Sequence, residues 1–122
     1  MKFHLQAPSS NLVTGIGPGW IRVGTQDHRG NVVLAPSQVE GGFAPQGFDG
    51  LTASDFERLL TSSPEIVLLG TGASQRFPHP RLIKPLIEAR VGVEVMDTRA
   101  ACRTYNILVA EGRNVVAALI VE

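Results

Sequence analysis

Asp97, Thr98, Cys102, Arg103, Tyr105 and Asn106 crowd into the stretch "VEVMDTRAACRTYN", where a hydrophobic, strand-like segment runs straight into a helix. Carboxylate, hydroxyl, thiol, guanidinium, phenol and carboxamide together could supply a nucleophile, an acid–base pair or an anion cradle. At about 100° per helical residue, Arg99, Arg103, Asn106 and Ala110 share a narrow arc. Ala100, Ala101, Tyr105, Ile107, Leu108 and Val109 fill most of the remaining circumference, which predicts a helix buried on most sides with one polar strip. Asp97 is placed to cap the first turn, with Thr98 part of that cap. Tyr105 fits a core aromatic whose hydroxyl finds one partner. Cys102 lies at the margin of the strip, one turn inside the helix, where the dipole is weakened. A thiol nucleophile needs a base within reach, and of His4, His28 and His79 only His79 neighbours a second glycine-rich junction. Packing is the better reading of Cys102.

That second junction is "LLGTGASQRFPHP". Gly70, Thr71 and Gly72 follow an all-apolar strand, the position where open α/β sheets form ligand crevices. Amides in a glycine turn can cradle an anion, and Arg76 stands close enough in sequence to neutralise it. The run is not a dinucleotide fingerprint, because Gln75 occupies the place of the third glycine, and it lacks the ending of a P-loop. A tight strand-to-loop turn explains the glycines more simply. If the strands ending at Leu69 and at Val95–Met96 are parallel neighbours, both junctions meet at one sheet edge. Arg76, Arg103 and Asn106 would then line a single cleft, able to bind a small anion or ligand.

The flanking elements must hold these junctions in place. In the first half "KFHLQ" alternates, with Phe3 and Leu5 on one face, and "LVTGIGPGWIRV" gives short strands about a Gly15–Gly19 corner. Ile21 and Val23 point opposite to Trp20, Arg22 and Gly24. Asp27–Asn31 reads as a reverse turn with Gly30 at positive φ, and "VEGGFAPQGFDG" as a loop anchored by Phe43 and Phe48. Ser54 with Glu57 has capping-box spacing for a helix from Asp55 to Thr61, with Phe56, Leu59 and Leu60 inward. "EIVLL" is a strand covered on both faces. A helix starting at Pro80 would bury Leu82, Ile83, Leu86 and Ile87 and end at Gly92, although Pro85 demands a kink or a later start. The strand "VEVMD", a helix from Thr98 to Glu111 stopped by Gly112, and the buried strand "NVVAALIVE" complete the chain. Strand, helix, strand, helix, strand makes one α/β domain over residues 1–122, its sheet mixed by the earlier hairpins.

Bulk properties remove several classes. The 122 residues are 43% hydrophobic and 18% charged with zero net charge, which describes a folded domain with no general pull toward nucleic acid or anionic membrane. Nine arginines to two lysines favour planar, bidentate contacts. One cysteine excludes an intrachain disulfide and a multi-cysteine zinc site, so no metal or cofactor is expected. There is no transmembrane run and no signal-like N-terminus, and the expected location is cytoplasmic.

Five linked motifs carry a resemblance: G-T-G at Gly70–Gly72, Q-R-F at Gln75–Phe77, E-V-M-D-T at Glu94–Thr98, A-C-R-T-Y-N at Ala101–Asn106 and E-G-R at Glu111–Arg113. In this order they resemble a small-domain family of unknown function whose eukaryotic relatives include a mitochondrial assembly factor for respiratory complex I. The resemblance implies a three-layer fold, with a central mixed sheet flanked by helices and a small extra β layer. No catalytic activity is established for that family, so the resemblance implies a binding module that acts through protein partners, with an anion- or small-molecule-binding domain or an enzyme of unrecognised type as the alternative.

Overall fold

The computed structural model describes residues 11–122, so the expected strand at Phe3 and Leu5 lies outside the described residues. Strands β1 (Val13–Gly17), β2 (Trp20–Val23) and β3 (Gln26–Arg29) form a small antiparallel sheet in that order. Strands β4 (Val32–Ala35), β5 (Gln38–Gly41), β6 (Ile66–Thr71), β7 (Gly92–Met96) and β8 (Val115–Ile120) form a larger sheet in the order β5-β4-β8-β6-β7. There β6 runs parallel to β7 and β8, while β4 is antiparallel to β5 and β8. The sheet is mixed, as the hairpin in the first half requires.

The uninterrupted apolar runs follow from this placement. Strands β6 and β8 sit in the middle of the sheet, so both their faces are covered. Leu68, Val115, Ala117 and Leu119 face one core, shared with Ile21 and Val23 of β2 and with Ala101, Cys102, Tyr105 and Val109 of α3 (Thr98–Ala110). Val67, Leu69, Val116, Ala118 and Ile120 face the other, against Phe43, Phe56, Leu59 and Leu86. Phe56 lies on α1 (Ala53–Glu57) and Leu86 on α2 (Lys84–Glu88). Each fully buried aliphatic side chain of this set contributes about 1.5–3 kcal/mol relative to exposure. Helices and a small β layer therefore sandwich a central mixed sheet.

Several local expectations are corrected. Asp27–Arg29 is strand β3, and the turn lies earlier, at Gly24–Thr25, between the paired Val23 and Gln26. Polar residues suit this strand because it is an exposed edge, and Asp27 sits opposite Arg22 in an ion pair of 2.6 Å. Gly30 does take the positive φ expected of it, 84°. The segment read as one loop after Val39 starts in β5, and Phe43 is a core residue packed edge-on to Phe56 at 6.5 Å. The capping box of α1 is Thr52 with Asp55, since both reciprocal bonds form there (Asp55 N to Thr52 Oγ1 3.3 Å, Thr52 N to Asp55 Oδ2 2.9 Å). The helix thus starts at Ala53 and tightens into a 3-10 turn over Arg58–Ser62.

Pro85 divides the next helix. A 3-10 turn at Pro80–Leu82 precedes the break, and Pro85 falls in the first turn of α2, where its missing N–H costs nothing. The stripe expected there is shortened accordingly: Leu86 is buried, but Ile87 is 57% exposed. Gly92 opens β7 instead of closing the helix. On α3, Ile107 is 59% exposed beside Arg99, Arg103 and Ala110, so this helix buries one side only.

Candidate functional site

Both glycine and aspartate junctions end at one edge of the sheet, because Gly70 of β6 pairs with Met96 of the parallel β7. Thr98 ties them together. Its Oγ1 accepts from the amide of Gly72 at 2.7 Å and donates to the carbonyl of Ile120 at 2.6 Å, and its own amide donates to the Gly72 carbonyl at 2.9 Å. Asp97 caps α3 as expected, its Oδ1 accepting from the amide of Ala100 at 2.9 Å. Gly70 must be glycine: a Cβ there would lie 2.9 Å from Thr98 Oγ1 and 3.0 Å from the Thr98 backbone. Gly72 turns the chain at φ 94°.

Thr71 is buried, and its hydroxyl donates to the Ser74 carbonyl at 2.7 Å and accepts from the Arg76 amide at 3.0 Å, closing the loop after β6. Arg76 folds back over this loop. One guanidinium nitrogen meets the Thr71 carbonyl at 2.8 Å and Glu122 Oε2 at 2.9 Å, and the group stacks 4.5 Å from the ring of Phe48. Glu122 Oε1 accepts from the amide of Ala73 at 3.2 Å. The amide and guanidinium that could cradle an anion therefore hold a carboxylate of the chain itself. Nothing in the sequence marks Glu122 for this role.

Cys102, Arg103 and Asn106 lie elsewhere, along α3 where it faces β1. The carboxamide of Asn106 receives the Val13 amide at 2.9 Å and donates to the Val13 carbonyl at 2.8 Å, while the Tyr105 hydroxyl donates to the carbonyl of Asn11 at 2.8 Å. A cleft of about 200 Å³ is lined by Val13, Gly15, Ile16, Arg99, Cys102, Arg103 and Asn106. A second, of about 210 Å³, joins Ile16, Gly17 and Pro18 to Gly72, Asp97, Thr98 and Arg99. The structure thus brings Gly72, Asp97 and Thr98 together, and Cys102, Arg103 and Asn106 together. Arg76 borders neither cleft, and the residue common to both on the helix is Arg99, which the strip of arginines one helical turn apart already signalled.

Burial pushes the Cys102 thiol up from its usual 9.0 to about 11, against the smaller opposing pull of Arg99 and Arg103. Burial likewise raises the Tyr105 phenol well above its ordinary range. Near pH 8 a two-unit rise leaves the thiolate roughly 100-fold scarcer than in an unperturbed cysteine. Alkylation of the native protein by iodoacetamide is expected to be at least that much slower than in urea, and equal rates would place Cys102 at the surface. The sign for stability follows: the neutral thiol favours the fold below about pH 9, and that contribution is lost as pH rises through about 11. His79 is engaged in its own turn, Nδ1 accepting from the amide of Arg81 at 3.1 Å, and among the described residues no group of three His, Cys, Asp or Glu is placed to hold a metal ion.

Residues 13–120 match the model of a family described as protein of unknown function (DUF498/DUF598). The chain is 33% identical over 96 residues to the 13 kDa major membrane protein of Francisella tularensis subsp. holarctica (strain LVS), covering 78% of this chain and 76% of that protein. It is 45% identical over 62 residues to the NADH dehydrogenase (ubiquinone) 1 alpha subcomplex assembly factor 3 of Mus musculus, covering 51% of this chain and 34% of that protein. The chain therefore spans about a third of the mouse factor's length. A crystal structure of a protein from Bordetella parapertussis is similar throughout, with a TM-score of 0.87 and 40% identity over 95% of this chain and 99% of that one.

Proposed function

The chain belongs to the DUF498/DUF598 family, and from that premise we propose that it is a non-catalytic accessory protein that assists assembly of a respiratory complex through protein contacts. One observation carries the reading. Of the polar groups able to do chemistry at the two junctions, Thr71, Asp97, Thr98, Tyr105 and Asn106 are bonded to the chain's own backbone. The outer face of α3, with Arg99, Arg103 and Ile107, is exposed and able to meet another molecule. Similarity to the assembly factor supports the same direction. Anion binding at Gly70–Gly72 is the weaker reading, because Thr98 and Glu122 already take the donors nearest that turn. No helix among the described residues is long and apolar enough to cross a membrane. The protein works in the cytoplasm of a bacterium, meeting a membrane-associated complex from its aqueous side.

Deleting the gene from the organism that encodes the chain is expected to lower the amount of fully assembled NADH:ubiquinone oxidoreductase on native gels, with partial assemblies accumulating. Re-expression should restore it. An unchanged quantity and composition of the complex would contradict the proposal.

A further inference from the structure

Strand β1 lies at the outside of its sheet, with β2 on one side only. Gly17 and Trp20 close a hairpin over the two-residue turn Pro18–Gly19, so this pair exchanges the ladder bonds and Ile16 turns its amide and carbonyl outward. The register shift at Thr14 leaves the backbone of Val13 outward as well, and there Asn106 meets it with one acceptor and one donor. The Asn106 carboxamide stands in for the peptide group of a further strand. Beyond it, Ile16 has no bonding partner outside the β1–β2 ladder among the described residues. Both clefts flank this edge and share Ile16 and Arg99, so they lie side by side along the groove between β1 and α3.

We propose that the groove between the outer edge of β1 and Arg99 and Arg103 of α3 takes an extended acidic segment of a partner protein as an added strand. The proposal rests on the reading of the chain as a protein-contacting accessory factor and names the chemistry of its partner. Backbone bonds to Ile16 would supply alignment, as in other sheet-edge recognition. Charge selects the occupant. Arg99 and Arg103 are exposed and make no ion pair among the described residues. A second copy of the chain docking edge to edge about a twofold axis would bring these arginines against their own copies. Residues 1–10 carry Lys2 and no carboxylate, so they too are mismatched in charge. At the other end of the groove lie Asp97 and Glu122. The acidic residues of the partner therefore belong beside Asn106 and Arg103, and neutral or basic ones beside Pro18.

The test is an NMR titration of the full, isotope-labelled chain with two peptides, one alternating Glu and Val and one alternating Lys and Val. The acidic peptide is expected to shift the amides of Ile16, Arg99 and Arg103 and to slow exchange of the Ile16 amide. Binding should weaken by at least about tenfold in Arg99→Glu/Arg103→Glu, whose side chains point to solvent and whose fold should be unaffected. Ile16→Pro, which removes the outward donor of the edge strand together with the half-buried Ile16 side chain, should weaken it too, whereas Ile16→Val, which keeps the donor, should bind nearly as the wild type does. Equal response to both peptides, or binding unaffected by the charge reversals, overturns the proposal. So does a wild-type dimer that Ile16→Pro dissociates, or contacts from Phe3 or Leu5 to Ile16 in the free chain. If the charge-reversed chain still restores complex assembly in the deletion strain, the groove is wrong and the assembly role stands. If the acidic peptide binds as described but deletion leaves the complex intact, the groove stands and the assembly role falls.

Discussion

Thr98→Val is expected to lower the unfolding free energy by about 3 kcal/mol, because it leaves two buried backbone groups without partners at about 1–3 kcal/mol each. The Gly72 amide and the Ile120 carbonyl both depend on the one hydroxyl, at 2.7 and 2.6 Å, and Thr98 is 3% exposed. Valine keeps the shape, so packing is nearly unchanged and the loss reports the hydrogen bonds. In a domain of this size the melting temperature should fall by roughly 10 °C. Thr98→Ser keeps the hydroxyl and should stay within about 1 kcal/mol of the wild type. Urea denaturation of the two variants measures the difference. A hydroxyl reserved for ligand or catalysis would give the opposite pattern, with stability intact in both.

Tyr105→Ala should be worse still, at about 4 kcal/mol, since it empties a large, fully buried site beneath the central sheet. The ring packs in the core shared by Leu68, Val109 and Leu119, while the hydroxyl reaches out to the carbonyl of Asn11. Tyr105→Phe separates the two contributions. It keeps the ring and leaves one half-buried carbonyl unpaired, which costs about 1 kcal/mol. Denaturant midpoints that fall equally for Phe and Ala would assign the stability to the hydroxyl and remove the packing explanation.

These side chains show which features a sequence can disclose. The two ends of α3 and the central strands were legible because their causes are local or periodic, whereas the cap of α1 lay two residues before the Ser54–Glu57 spacing. Asp97 needs only its own first turn, Gly112 only its positive φ at the end of α3, and β6 and β8 only an apolar run in the right length. Parallel pairing of β6 with β7 was the condition on which the two junctions would meet, and the structure meets it, bringing Gly72 to Thr98. Partners chosen across long separations were not legible. Asn106 bonds Val13 across 93 residues, and Glu122 reaches Ala73 across 49. Arg76 was expected with Arg103, yet Glu122 and Phe48 hold it at the far side of the loop. Composition also misled where position in the fold overrode it, since four polar residues make an exposed edge strand at β3, and Ile107 faces outward on α3 among the arginines.

Hydrogen exchange at the Gly72 amide tests most directly whether the junction is built to hold the sheet or to receive a ligand. If Thr98 locks it inside the fold, that amide should exchange as slowly as those of β6 and β8, opening only when most of the domain unfolds, whereas the Ala73 amide, bonded at the surface to Glu122, should exchange far sooner. Gly72 exchanging at the rate of an open loop, and becoming protected only when an anion is added, would show a site waiting for its ligand and would contradict the structural role assigned to Thr98.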